Sequence, residues 1–316
     1  MNLFYAIVLA LAGIALVLFF SEQLVKGVVG VSINFKVPAF LISVIFLGFD
    51  PENLGVGAVG SYESVGGIAM GSIIGAAMVA TALALGITAI FAPLKFKNVD
   101  KQLLWVPLLS VLLFGALVLD RHLSRWDGII LLIGYAAAVI YFIYLNRKGI
   151  TIEAGGEVAE TLEKEKLPGK WKSAALMLVS LVAIIGGSEM LVSGSRVILD
   201  KFQISDTVYG MTILAFLVSI EEVARELPAA MKGKADISIG NVIGSVLAFF
   251  LFNAGVIALV RPVNVSEETI RFFLPVSIAT IVFILALLMF IHKIPRWAGV
   301  VLVAAYIFFV LSGYMS

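Results

Sequence analysis

The chain has 316 residues, of which 61% are hydrophobic and only 14% are charged, and its formal net charge is +1. Long apolar runs recur from end to end, so this composition excludes a soluble globular domain and indicates an integral membrane protein. The sequence contains no cysteine, which excludes disulfides, thiolate catalysis and cysteine-based zinc or haem sites.

Ten apolar runs are long enough to cross a hydrocarbon core of roughly 30 Å as helices. They are residues 2–20, 37–60, 66–92, 102–119, 128–145, 173–195, 208–231, 237–260, 270–291 and 297–315. Each run is a continuous apolar block without the period-two alternation of a transmembrane strand. We therefore predict an all-α membrane protein with ten spans.

The distribution of basic residues predicts the orientation. With both termini outside, the inside loops hold 15 of the 22 Lys and Arg residues and the outside loops hold six, while Arg225 lies within a span. The positive-inside rule therefore predicts both termini outside and residues 146–172 in the cytoplasm. This polar loop is too short for a nucleotide-binding domain, so we interpret it as a tether.

The second half of the chain repeats the first. Four blocks recur in order at an offset that drifts from 167 to 171: 20–37 with 187–204, 68–76 with 237–245, 91–94 with 260–263, and 124–135 with 295–306. Residues 1–145 and 173–316 each contain five spans, and an odd number inverts the second copy. We predict two inverted five-helix repeats, an arrangement in which secondary transporters place ion sites near the bilayer midplane.

Acidic residues lie near the centre of the second span of each copy. The first copy has Asp50 and Glu52 around Pro51, and the second copy has three carboxylates and an arginine: Glu221, Glu222, Glu226 and Arg225. Each ionised group at this depth costs at least about 2.5–3.5 kcal/mol. We therefore expect these groups to face a cavity or a partner.

Two interpretations of these acids compete. An internal salt bridge is available on the helix face shared by Glu222, Arg225 and Glu226, but one arginine cannot neutralise five carboxylates in two repeats. The alternative is a site for a hard cation, which prefers carboxylate and carbonyl oxygens. A helix break at Pro51 would free a backbone carbonyl for this purpose. We favour the cation site.

Glycines four apart begin the third span of each copy. Gly71 and Gly75 in the first copy match Gly240 and Gly244 in the second. Such spacing is typical of close helix packing. Close packing here would bring three polar side chains toward the acidic spans, namely Ser72, Asn241 and Ser245.

Together these features resemble the cation/Ca²⁺ exchanger superfamily, particularly its Na⁺/Ca²⁺ exchanger branch. That family carries a G-T-S-L-P-E and a G-N-x-I-G-S motif in its repeats. Pro51 and Glu52 match the Pro-Glu of the first motif, and Ser219 and Glu222 match its serine and glutamate in the second copy. Asn241 and Ser245 match the polar members of the glycine motif, where the first copy has Ser72 and Ala76.

The resemblance implies that Glu52 and Glu222 bind Ca²⁺ at the midplane while Na⁺ or H⁺ competes for the same and adjoining positions. It implies no cofactor besides the transported ions. This sequence departs from the pattern: Val218 and Glu221 replace Thr and Pro, and Ala80 and Phe249 replace Asn or Asp. Compared with the family pattern, this sequence therefore has fewer side-chain oxygens suited to Na⁺ and more carboxylates. This difference makes coupling to H⁺ a stronger alternative to coupling to Na⁺.

We therefore predict an antiporter that exchanges Ca²⁺, or a related divalent cation, for Na⁺ or H⁺ by alternating access. The predicted ion-binding residues are Glu52, Glu222, Asp50, Glu221, Ser219, Ser245, Asn241 and Ser72. Arg225 and Glu226 are predicted to form an internal counter-charge pair, with Arg225 directed to the cytoplasmic mouth. We expect a monomer in the cell membrane whose partners are lipid and inorganic cations, without nucleic acid.

Two alternatives stay open. If the Arg225 guanidinium occupies the cation site, the protein is a divergent member that carries a different substrate or does not transport. The second alternative is a membrane enzyme with an intramembrane acid/base pair. We rank it lower because most of the acidic residues are glutamates and the repeats are typical of transporters.

Overall fold

A computed structural model describes residues 2–37, 39–95, 100–150, 158, 161–162, 167–231 and 235–315. Apart from 158 and 161–162, these ranges contain eleven helices: α1 Leu3–Asn34, α2 Ala39–Ile45, α3 Pro51–Tyr62, α4 Gly66–Phe91, α5 Lys101–Leu117, α6 Arg125–Arg147, α7 Lys170–Phe202, α8 206–231, α9 235–260, α10 Thr269–Phe290 and α11 Arg296–Gly313. They also contain four two-residue strands: β1 Leu94–Lys95, β2 His122–Leu123, β3 Val263–Asn264 and β4 Lys293–Ile294. Within the predicted loop 146–172, residues 151–157, 159–160 and 163–166 lie outside the described residues.

Eight of these helices are long and apolar enough to cross a bilayer: α1, α4, α6, α7, α8, α9, α10 and α11. The chain is thus an all-α, multi-pass membrane protein. The other two predicted spans differ in form. The run at 102–119 is α5, a 17-residue helix that contains Pro107, and the run at 37–60 is divided between α2 and α3.

The division of the second predicted span has a local cause. Asp50 is the N-cap of α3 and accepts a hydrogen bond from the backbone N–H of Asn53 at 2.8 Å. Pro51 then occupies the first turn, where its missing N–H and fixed φ are favourable. Gly48 has a φ of +69°, which glycine tolerates best. The break therefore lies at residues 46–50, and Pro51 starts a new helix instead of kinking a continuous one.

The centre of the molecule is formed by α4 and α9. Most of their apolar stretches are buried within the protein, 89% for α4 and 83% for the 240–260 part of α9. Each helix contains a widened π-helical turn, at Val79–Ala84 and at Ala248–Asn253, and these two turns are 169 positions apart, which is the offset between the repeated sequences around them. Helix α4 has a further π-helical turn at Gly71–Gly75, where the equivalent residues of α9 are α-helical. The two central helices therefore share one departure from α geometry and differ in another.

The strand pairs connect the two halves of the chain. Strand β1 pairs with β4 in antiparallel register, Leu94 opposite Ile294, and β2 pairs with β3, Leu123 opposite Val263. By the repeat offsets, β1 corresponds to β3 and β2 to β4. If the two halves of the chain are exchanged, the β1–β4 pair becomes the β2–β3 pair with the same register. An approximate twofold relationship between the repeats requires this equivalence.

Two long helices, α1 and α7, pack against each other at the edge of this core. Glycines allow their backbones to approach where Gly13 meets Gly187. A Cβ atom on Gly13 would lie 2.5 Å from the carbonyl oxygen of Gly187, so even alanine would separate the helices. Both helices stay largely exposed on their other faces, which leaves α3, α4, α8 and α9 to enclose the acidic residues.

Candidate cation site

The start of α3 brings the first acidic residue to the second half of the chain. The side-chain amide nitrogen of Asn53 donates to Asp50 Oδ2 at 2.9 Å and to Ser219 Oγ of α8 at 2.8 Å. All three side chains are at most 4% exposed. Asp50 and Ser219, both predicted site residues, thus meet through Asn53, the residue that completes the N-cap of α3.

A second hydrogen-bonded group joins α8 to α9. The Asn241 amide nitrogen donates to Glu222 Oε2 at 3.0 Å and to Glu226 Oε1 at 3.2 Å. The two glutamates are one helical turn apart, so they share a face of α8. Both are buried, and among the described residues no group donates to the second carboxylate oxygen of Glu226.

Glu52 and the remaining charged residues of α8 connect these two groups. Glu52 is 3% exposed, and its Oε2 has no hydrogen-bond partner among the described residues. Its carboxylate lies close enough to Asp50 and Glu221 for their charges to act on it. The Arg225 guanidinium is ion-paired with Glu221 and also acts electrostatically on Glu52. Five carboxylates and one arginine therefore form one electrostatic cluster across both halves.

Close glycine contacts frame this cluster, and one of them involves Gly244, a predicted packing residue, whereas the predicted Gly71 and Gly75 of α4 pack on Gly210 and Met211 of α8. Gly48, in the break before α3, lies directly on the backbone of Gly244 and Ser245 in α9, and neither glycine has room for a Cβ atom. Ser245 is buried at this contact. Ser72 lies against Gly57 of α3 and donates its hydroxyl to the carbonyl of Ala69 at 2.8 Å, within its own helix.

The cluster offers carboxylate, hydroxyl and amide oxygens, the ligand types of a hard cation. Among the residues that the structure describes, however, no three carboxylate or imidazole groups converge closely enough to hold a metal ion by themselves. Bound metal would therefore need oxygens from Ser219, Asn241 or the backbone, or an approach of the carboxylates. In the structure the Asn241 amide bridges Glu222 and Glu226, and the Asn53 amide joins Asp50 to Ser219.

Two features of the site differ from expectation. Arg225 pairs with Glu221, four residues earlier, while Glu226 engages Asn241. Adjacent residues on a helix point about 100° apart, whereas residues four apart lie on one face, which favours Glu221 over Glu226 as the partner. Asn53 was not among the predicted site residues. The sequence feature that indicates a role for Asn53 is Asp-Pro-Glu-Asn, in which Asn53 is the third helical residue after an aspartate N-cap.

Comparison with known proteins gives a consistent result. The sodium/calcium exchanger protein family matches residues 5–144 and 172–315. An uncharacterized membrane protein of Methanocaldococcus jannaschii is 30% identical over 305 residues, 96% of both chains. The sodium/calcium exchanger MaX1 of Methanosarcina acetivorans is 24% identical over 326 residues, 92% of this chain and 93% of that one.

A solved structure of the sodium-calcium exchanger NCX_Mj, soaked with Na⁺ and Sr²⁺, superimposes with a TM-score of 0.62 at 25% identity. The match covers 98% of this chain and 99% of that chain. A helical, multi-pass membrane protein with a buried acidic cluster between its halves has the features of an ion transporter. The chain belongs to the sodium/calcium exchanger protein family.

Proposed function

We propose that the protein is a secondary antiporter that exchanges Ca²⁺, or a related divalent cation, for Na⁺ or H⁺ across the membrane. The observation that carries this proposal is the hydrogen-bonded network that joins Asp50 to Ser219 and Glu222 to Asn241, with Glu52 buried between them. One acidic side chain of the first half is thereby bound to α8, the helix that carries the acids of the second half.

The chemistry of exchange follows from this crowding. Buried carboxylates that repel each other are stabilised by a divalent cation, by monovalent cations or by protons, and these occupants exclude one another. Glu52 and Glu222 are the proposed principal ligands, with Asp50, Glu221, Ser219, Ser245, Asn241 and Ser72 as adjoining oxygen donors. Competition for one set of carboxylates couples the movement of Ca²⁺ in one direction to that of the other ion in the opposite direction.

We further propose ten spans in two inverted repeats, residues 1–145 and 173–316, joined by the loop 146–172. In this scheme α2 and α3 together make the second span and α5 makes the fourth. The equivalent strand pairs and the equivalent π-helical turns of α4 and α9 support the repeat relationship. Alternating access would then move α1 and α7 against the rest.

The names of related proteins support exchange over intramembrane acid/base catalysis. They include the putative antiporter CaxA of Alkalimonas amylolytica, 25% identical over 81% of both chains, and the Ca²⁺/H⁺ antiporter ChaA of Bacillus subtilis, 24% identical over 80% of this chain and 77% of that one. Relatives therefore include both Na⁺ and H⁺ coupling, and the coupling ion is to be measured. We propose a monomer in the cell membrane with both termini outside and the loop 146–172 in the cytoplasm.

The test is uptake of radioactive Ca²⁺ by proteoliposomes, with an outward Na⁺ gradient in one set and an outward H⁺ gradient in another. Glu52→Gln and Glu222→Gln remove one charge each from the cluster and should abolish uptake. Glu267→Gln is the matched control, because its carboxylate is half-exposed and ion-paired at the surface. Uptake at the level of empty liposomes under both gradients would contradict the proposal.

A further inference from the structure

Arg225 holds an unusual position in the acidic cluster. It is the single basic residue in the 206–231 helix. Its guanidinium is ion-paired with Glu221, and the two side chains are only 23% and 27% exposed. The same positive charge acts on Glu52, which belongs to the first half of the chain. Arg225 therefore holds a fixed positive charge within the acidic cluster.

A helical Glu-Arg pair four residues apart is by itself ordinary, and the protein contains a matched example. Glu267 and Arg271 on α10 form such a pair with side chains 50% and 79% exposed. Solvent screens a pair of that kind, so it contributes little. The Glu221–Arg225 pair differs because it is partly buried and because a third carboxylate, Glu52, lies within reach of its charge.

A buried cluster tolerates only a limited uncompensated charge, so its carboxylates must be neutralised by whatever cations are present. Ca²⁺, Na⁺ and H⁺ can leave the cluster, but the guanidinium is covalently attached and stays charged at every accessible pH. It provides one positive charge in every state of the cycle. The number of mobile cations needed to balance the same carboxylates is correspondingly smaller.

We infer that Arg225 is a tethered cation that sets the number of coupling ions exchanged for each Ca²⁺. This inference rests on the proposed exchange function and deepens it. Removal of the guanidinium charge leaves Glu221 and Glu52 to be neutralised by an additional mobile cation, which then travels through the cycle. Arg225 thus determines the stoichiometry without serving as a ligand of the transported ion.

The test measures the coupling number directly. Proteoliposomes are held at zero membrane potential with valinomycin and equal K⁺ on both sides. The Ca²⁺ ratio at zero net flux is then determined for a series of gradients of the coupling ion. The slope of the logarithm of the Ca²⁺ ratio against that of the coupling-ion ratio is the number of coupling ions per Ca²⁺. Arg225→Gln should raise this slope by about one, since one fixed positive charge is removed.

Two further variants separate charge from structure. Arg225→Lys keeps the charge and should keep the wild-type slope. Arg271→Gln breaks the exposed pair of the same spacing on α10 and should leave the slope unchanged.

A wild-type slope in Arg225→Gln would overturn the inference, because a purely structural salt bridge alters rate or stability and not the coupling number. If a variant binds Ca²⁺ but does not transport it, the coupling number is measured on the detergent-solubilised protein as the number of Na⁺ or H⁺ ions released for each Ca²⁺ bound. Loss of Ca²⁺ binding in folded Arg225→Gln protein would also overturn it, because removal of a positive charge should strengthen cation binding. Failure of the exchange proposal is distinct, since the wild type would then show no gradient-driven Ca²⁺ flux.

Discussion

The side-chain amide of Asn53 donates a hydrogen bond of 2.8 Å to the hydroxyl of Ser219, a residue 166 positions later in the chain. The same nitrogen donates to Asp50. One amide group therefore fixes an acidic side chain of the first half relative to the acidic helix of the second half. The relative position of the two halves at the candidate site depends on this contact.

Substitution of Asn53 by alanine should weaken Ca²⁺ binding while it preserves the fold. The backbone N–H of residue 53 still caps α3 through Asp50 Oδ1, but Asp50 Oδ2 and Ser219 lose their shared donor. Asp50 is then no longer held against α8, and a hydrogen bond to a charged group contributes about 1.5 kcal/mol or more, so the half-saturating Ca²⁺ concentration for uptake should rise by at least about tenfold. Asn146→Ala, at the end of α6, is the control. An unchanged half-saturating concentration in Asn53→Ala would show that the Asn53 amide does not position Asp50 for Ca²⁺ binding.

The contact between Gly48 and Gly244 should be essential for stability. Gly48→Ala places a side chain at a φ of +69°, which costs about 1–2 kcal/mol, and drives its Cβ into the backbone of α9. The temperature at which the detergent-purified protein loses its monodisperse size-exclusion peak should fall by several degrees. Gly186→Ala is the matched control: this glycine is helical and has nothing within 4 Å of an added Cβ. A thermal midpoint equal to that of the wild type in Gly48→Ala would mean that α9 moves aside.

Much of the architecture was accessible from the sequence because it depends on composition and periodicity. Apolar length predicted the eight long helices, and the drifting offset of the repeats has a structural counterpart in the equivalent strand pairs. The break near Pro51 was also predictable, because proline removes a helical hydrogen bond. Its position at residues 46–50 depends on Gly48 and on the Asp50 cap.

The contacts within the site were less accessible, because they depend on which helices meet. Helix geometry favours Glu221 and Glu222, four and three residues before Arg225, over the adjacent Glu226, but it does not decide between Glu221 and Glu222. The structure engages Glu222 and Glu226 with Asn241 from α9, while Arg225 pairs with Glu221. Such a choice requires knowledge of the face that α8 presents to α9. Asn53 was overlooked for the same reason, since its partner Ser219 lies in the other half.

External protons should compete with Ca²⁺ uptake. Protonated carboxyl groups do not bind metal ions, so a lower external pH at constant internal composition should raise the half-saturating Ca²⁺ concentration. The increase is up to about tenfold per pH unit for each proton that must leave the shared carboxylates. The maximal rate at saturating Ca²⁺ should stay constant. Initial rates measured over a range of external pH test this, and a falling maximal rate with a constant half-saturating concentration would place the protonation outside the cation site.

The two ends of α6 should lie on opposite sides of the membrane. The natural sequence has no cysteine, so single cysteines label without background. Leu119→Cys precedes β2 at a position 65% exposed, and Arg147→Cys lies at the exposed end of α6. With the termini outside, a membrane-impermeant maleimide should label Leu119→Cys in intact cells and Arg147→Cys only after permeabilisation. The reverse pattern would place the loop 146–172 outside, and labelling of both in intact cells would mean that the 23 residues of α6 do not span the bilayer.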